Sequence, residues 1–170
     1  MKDILDFALQ MERDGKKFYE EQAARTSQPE VKEILLTLAA EEEKHFKFFM
    51  KMKEGAVQEA QDLLRGSKRA ITATKNVFIE LTEKNKNYAF GDEVREVWKK
   101  ALAIEEKAEK LYRDEAAKTD DPTNKELLNR IADEEQSHVY LIDNMLSYMA
   151  DPHTFGESAQ FKNFRSWEGH

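Results

Sequence analysis

The strongest constraint on this 170-residue chain is that it carries the same text twice. Residues 8–45, ALQMERDGKKFYEEQAARTSQPEVKEILLTLAAEEEKH, align without a gap on residues 101–138, ALAIEEKAEKLYRDEAAKTDDPTNKELLNRIADEEQSH, at a constant offset of 93 with 16 identities in 38 positions. A gapless repeat of this length points to a duplicated structural unit. In each copy apolar residues recur at spacings of three and four on both sides of a short break, so each copy reads as helix, turn, helix. The breaks are Ser27-Gln28-Pro29 and Asp120-Asp121-Pro122, where Ser or Asp can cap the next helix and Pro fits its first turn. Only 6 Gly and 3 Pro among 36% charged residues leave little turn material, and the fold class expected is all-α.

A chain of this size supports one domain with its own core. The expected organisation is a four-helix bundle over residues 1–150, made of one hairpin over about 1–50, a crossover over about 51–90 and a second hairpin over about 91–150. Helical text in the crossover, AVQEAQDLL and AITATKNVFIELTEK, is punctuated by Gly55, Gly66 and Gly91. Residues 151–170 form a tail in which Phe155, Phe161, Phe164 and Trp167 stand among polar residues, suited to covering the chain's own bundle or a second subunit.

Charges fall where the bundle needs apolar side chains. The core-facing seams run Leu5, Ala8, Glu12, Gly15, Tyr19; Val31, Leu35, Leu38, Glu42, His45, Phe49; Trp98, Ala101, Glu105, Ala108, Tyr112; and Leu128, Ile131, Glu135, His138, Ile142, Met145. A buried ionised carboxylate costs several kcal/mol even after relaxation. Four of them would consume most of a net stability of about 5–15 kcal/mol. No Lys or Arg stands on the seams to offset them. Two divalent cations would balance four glutamates and leave two imidazoles as nitrogen donors. The expectation is therefore a dinuclear metal site held by Glu12, Glu42, His45, Glu105, Glu135 and His138.

Spacing supports that set. A Glu and a His three residues apart share one helix face, so Glu42 with His45, and Glu135 with His138, can reach the same ion. Glu41 and Glu134 are repeated too and compete for the role, but they turn about 100° off the apolar seam. The chain has no Cys, so thiolate sites and disulfides are excluded and any metal must accept oxygen and nitrogen donors. His153 and His170 lie outside the repeat and are not read as ligands. The methionines at helical spacing read as gap-filling core or crossover contacts.

One Glu from each of two helices and Glu-x-x-His from each of the other two resembles the ferritin-like di-iron carboxylate bundles. Within them, ALQMERDGKKFYEEQA with AAEEEKHF, and ALAIEEKAEKLYRDEAA with ADEEQSHVY, are similar to rubrerythrin-type proteins. The resemblance implies that Glu12 and Glu105 are terminal ligands, that Glu42 and Glu135 bridge, and that His45 and His138 each complete one iron. It also implies that Tyr19 and Tyr112 hydrogen-bond the ligand carboxylates. Two features depart from the family pattern: without Cys there is no rubredoxin-like iron site, and the extra glutamate expected one turn after the third-helix ligand is replaced by Ala108.

The cofactors expected are two iron ions, with manganese as the alternative, since hard oxygen donors suit both. Two metals about 3.5–4 Å apart can bind an O–O unit and supply one electron each. The expected function is oxidation of Fe(II), or reduction of O2 or hydrogen peroxide, in oxidative-stress or iron handling, with electrons from a separate donor protein. Alternatives are a non-catalytic iron-binding or storage protein and manganese-dependent peroxide disproportionation. A net charge of −7 argues against a nucleic-acid partner. No apolar run of membrane-spanning length and no leader pattern is read, so the expected location is the cytoplasm. A homodimer, with hairpins exchanged through the crossover near Gly55 and Gly66 as one arrangement, is the assembly expected from the resemblance and the aromatic tail.

Overall fold

A computed structural model describes residues 2–86 and 89–168, in which eight helices and no strands are found. The two repeats form hairpins of α1 (Lys2–Arg25) with α2 (Pro29–Lys53) and of α5 (Asp92–Lys118) with α6 (Pro122–Ala150). Between them run α3 (Val57–Leu63) and α4 (Ser67–Lys84), and the tail supplies α7 (Pro152–Glu157) and α8 (Ala159–Ser166). No helix among the described residues is long and apolar enough to cross a membrane. His170 lies outside the described residues.

Local chemistry explains where the helices begin and end. Pro29 and Pro122 open the second helix of each hairpin, as the repeat predicts. Asp121 Oδ1 caps α6 by accepting from the Asn124 amide at 2.9 Å. The first copy differs: Gln28 occupies the capping position and makes no side-chain cap, and Ser27 stands one residue too early. Gly55, just beyond α2, and Gly66, just before α4, take left-handed backbone with φ of +76° and +83°, a conformation that costs glycine little. These two turns bring the chain round so that α4 lies against both α2 and α6.

Every seam residue anticipated from the 3-4 spacing is buried. The apolar core divides into two clusters. One gathers Tyr19, Leu38, Trp98, Leu141 and Met145 with Phe78 of α4. The other gathers Leu5, Ala8, Phe48, Phe49, Tyr112 and Ile131. The tail joins the first cluster: Phe155 and Phe164 stand with their ring centroids 5.9 and 5.1 Å from that of Phe78, and Lys75 Nζ donates to the Arg165 carbonyl at 2.7 Å. The aromatic tail thus covers its own chain. His153 in that tail is exposed.

Candidate metal centre

A polar layer lies on the seams that carry the two apolar clusters. Glu12, Glu42, His45, Glu105, Glu135 and His138 are each at most 2% exposed, although they come from four different helices. Ligand atoms from these six side chains fall into two groups, Glu12, Glu42, His45, Glu135 and Glu42, Glu105, Glu135, His138, with every atom of a group within 4.8 Å of the others. Glu42 and Glu135 belong to both. The rings of His45 and His138 stack at 5.8 Å between centroids and 21° between planes, on the side of the layer built by α2 and α6.

Hydrogen bonding around this layer is incomplete in a way that tests its purpose. Glu12 Oε2, Glu42 Oε1, His45 Nδ1 and both carboxylate oxygens of Glu135 are buried without a hydrogen-bond partner. His45 Nδ1 comes within 2.9 Å of Glu135 Oε1, yet the two are not aligned to bond. Orphaned buried atoms are expensive in a protein interior, and here they point at one another. A donor set of carboxylate oxygens and imidazole nitrogens with its lone pairs converging fits cations that prefer oxygen and nitrogen.

Tyrosines tie the outer carboxylates across the bundle. Tyr19 of α1 donates to Glu105 of α5 at 2.5 Å, and Tyr112 of α5 donates to Glu12 of α1. Each hairpin therefore orients the other's glutamate. The remaining oxygen of Glu105 lies 3.4 Å from His138 Nδ1, and the remaining oxygen of Glu12 lies 3.6 Å from His45 Nδ1.

Within this layer of four buried carboxylates, acidities shift in opposite directions. Burial, then the charges of Glu105, Glu12 and Glu135, pushes the Glu42 carboxyl well above its ordinary range. Burial likewise raises Glu135 to about 8. Burial opposes ionisation of Glu105 as well, but the His138 charge and hydrogen bond outweigh it and hold Glu105 at about 2. Burial also works against charge on His138, and Glu105 and Glu135 overcome it, lifting the imidazole to about 10. Protons on the histidines and on part of the carboxylates thus occupy the role that metal charge would fill.

Glu41 and Glu134 take a different place. Both sit on the outer flank of the histidines, where Lys44 Nζ lies 2.6 Å from Glu41 and 3.0 Å from Glu134. Glu134 accepts from Ser67 Oγ at 2.6 Å and meets His45 Nε2 at 2.8 Å. Burial raises Glu134, but the bond to His45 and the charges of His45 and Lys44 dominate and hold it at about 2. With Nε2–H committed to Glu134, a neutral His45 presents the Nδ1 lone pair to the layer. Glu134 was visible in the sequence as a repeated acid beside the seam. Ser67 was not, because it comes from the crossover and has no counterpart in the repeat.

Gly15 is the other residue whose role the sequence leaves silent. It stands on the α1 seam, where a Cβ would come within 2.6 Å of Glu42 Oε2. Bare backbone at this point makes room for the Glu42 carboxylate. Its repeat counterpart is Ala108.

Comparison with known proteins agrees with this architecture. The family model described as Rubrerythrin matches residues 3–146, most of the chain. No curated protein and no solved structure gives a significant match. Two matched hairpins, a helical bundle and a buried carboxylate–histidine layer that could hold metal lead to one assignment: the chain belongs to the rubrerythrin family.

Proposed function

We propose that this protein holds two iron ions between α1, α2, α5 and α6 and uses them to reduce dioxygen or hydrogen peroxide. The observation that carries this reading is the division of six buried side chains into two four-member groups that share Glu42 and Glu135. In it Glu12 and His45 would hold one ion, Glu105 and His138 would hold the other, and Glu42 and Glu135 would be shared between them. When bound, the ferrous pair supplies one electron per ion, which with two protons converts hydrogen peroxide to two waters.

The chain's own residues supply position and charge. Tyr19 and Tyr112 fix Glu105 and Glu12 across the bundle and leave the second oxygen of each facing a histidine, where a cation would bind. Glu134, held by Ser67 and Lys44, sets the tautomer of His45. The apolar clusters that flank the layer lower the local dielectric, which strengthens each of these interactions. In this reading the return of electrons is assigned to a separate donor protein.

Stopped-flow mixing of anaerobic ferrous-loaded protein with hydrogen peroxide tests the proposal. The expected result is oxidation of both ions within one turnover, and its loss in Glu42→Ala combined with Glu135→Ala. Retention of the reaction in that double variant contradicts it.

A further inference from the structure

The two sides of the metal layer are closed to different degrees. On the α2–α6 side, Lys44, Ser67 and Glu134 form a linked screen outside the histidines. A void beside His138 measures about 10 Å³, scarcely enough for one water. A wider groove of about 410 Å³ outside the screen reaches Glu134, and neither histidine lines it.

The opposite side carries a larger hollow, separated from the six side chains by its own lining. Between α1 and α5 lies a cleft of about 200 Å³ lined by Met11, Asp14, Gly15, Ile104 and Lys107. Its walls reflect the duplication, because Met11 corresponds to Ile104 and Asp14 to Lys107 at the repeat offset. Its deep wall does not. At Gly15 there is only backbone, with Glu42 Oε2 directly behind, at 2.6 Å from where a methyl would stand. The corresponding position in the second copy is Ala108, so on the first copy's side only backbone separates the cleft from a shared carboxylate.

Size and polarity restrict what the cleft can take. A water molecule's share of liquid volume is about 30 Å³, so a molecule of two heavy atoms enters with room to spare. Organic substrates sit in pockets of about 300–1,000 Å³. The apolar Met11 and Ile104 walls suit an uncharged guest, and Asp14 and Lys107 offer opposite charges that favour neither sign.

We propose that the α1–α5 cleft is the access route and holding site for a small neutral molecule of the dioxygen or peroxide class, and that Gly15 keeps it open onto Glu42. This rests on the dinuclear reading above. It assigns Met11 and Ile104 as gatekeeping positions and Gly15 as a positioning residue for Glu42.

Nitric oxide, a neutral diatomic probe, tests the route on anaerobic ferrous-loaded protein by its visible absorbance. Ile104→Trp is expected to slow association about tenfold, a barrier increment of about 1.4 kcal/mol, with metal content unchanged. Lys68→Ala, at the small void on the opposite side, is expected to leave the rate unaltered. If Ile104→Trp fails to fold, Ile104→Phe carries the same test. An unaltered rate in a metal-replete Ile104 variant, or acceleration by Lys68→Ala, overturns the route while leaving the metal reading intact. Xenon pressurisation of metal-free crystals provides a readout independent of iron: a xenon peak between Met11 and Ile104 supports the holding site and its absence overturns it. Failure of the wild-type protein to take up ferrous iron overturns the function reading instead.

Discussion

On one side of the duplicated centre, His45 turns Nε2 to Glu134 at 2.8 Å, and Glu134 is itself held by Ser67 at 2.6 Å and by Lys44 at 3.0 Å. On the other, Glu41, the repeat counterpart of Glu134, is drawn to Lys44 at 2.6 Å, and Ser137 stands where the first copy has Lys44. The shared carboxylates differ in the same sense, since Glu42 lies against bare backbone at Gly15, whose repeat counterpart is Ala108. Duplication reproduces the six side chains in the polar layer but not what braces them. The two halves are therefore expected to bind and respond unequally.

The largest effect should come from removing what the halves share. Glu42→Ala with Glu135→Ala is expected to abolish binding of both ions in the buried layer, read by metal analysis after gel filtration, because each of its two four-member groups loses two members, while the flanking trio Glu41, His45 and Glu134 is left intact. Next, the tyrosines test where the halves are alike. Tyr19→Phe and Tyr112→Phe each remove a hydrogen bond to a buried carboxylate and should each cost the metal-free protein about 1.5–3 kcal/mol in chemical denaturation. Equal losses are expected; a large disparity would extend the asymmetry to the α1–α5 side.

Glu134→Ala against Glu41→Ala addresses the asymmetry itself. Loss of the His45 partner should weaken one metal position about 10–100-fold, with a smaller effect for Glu41→Ala, measured by calorimetric titration with Zn(II). Equal effects would break the comparison. The smallest effect lies in the turns: Asp121→Ala should cost about 1 kcal/mol by loss of its cap, and Gln28→Ala close to nothing.

Acidity gives a further check. His138 is raised from near 6.5 to about 10, so the stability its proton contributes is full below 6.5 and disappears as pH climbs to 10. Glu135, raised from near 4.5 to about 8, loses stability over that interval in the same direction. Glu105 and Glu134, held at about 2, act oppositely and withdraw stability only as pH falls below 4.5. Metal-free protein should therefore weaken steadily in thermal melts from pH 5 to 10, while metal affinity rises over the same range because binding displaces these protons.

Much of this was legible in the sequence because the bundle has a simple period. Glu12, Glu42, His45, Glu105, Glu135 and His138 lie on stripes that a 3.6-residue helix must bury, and all six are buried. Ser67 and Lys44 leave no such mark, for a physical reason. They lie off the seams, and their role depends on how the crossover is folded against α2 and α6, which no local period encodes. Gly15 was on a seam, but an absent side chain leaves no signal until the approach of Glu42 is known. The cap at Asp121 was readable, whereas that at Ser27 failed by one residue of register.

The central claim, a shared dinuclear site, is tested most directly by metal content per chain combined with anomalous diffraction at the iron edge. Two ions per chain, with two peaks flanked by Glu42 and Glu135, is the result the account predicts. A single peak, or iron bound only outside the buried layer, would contradict it.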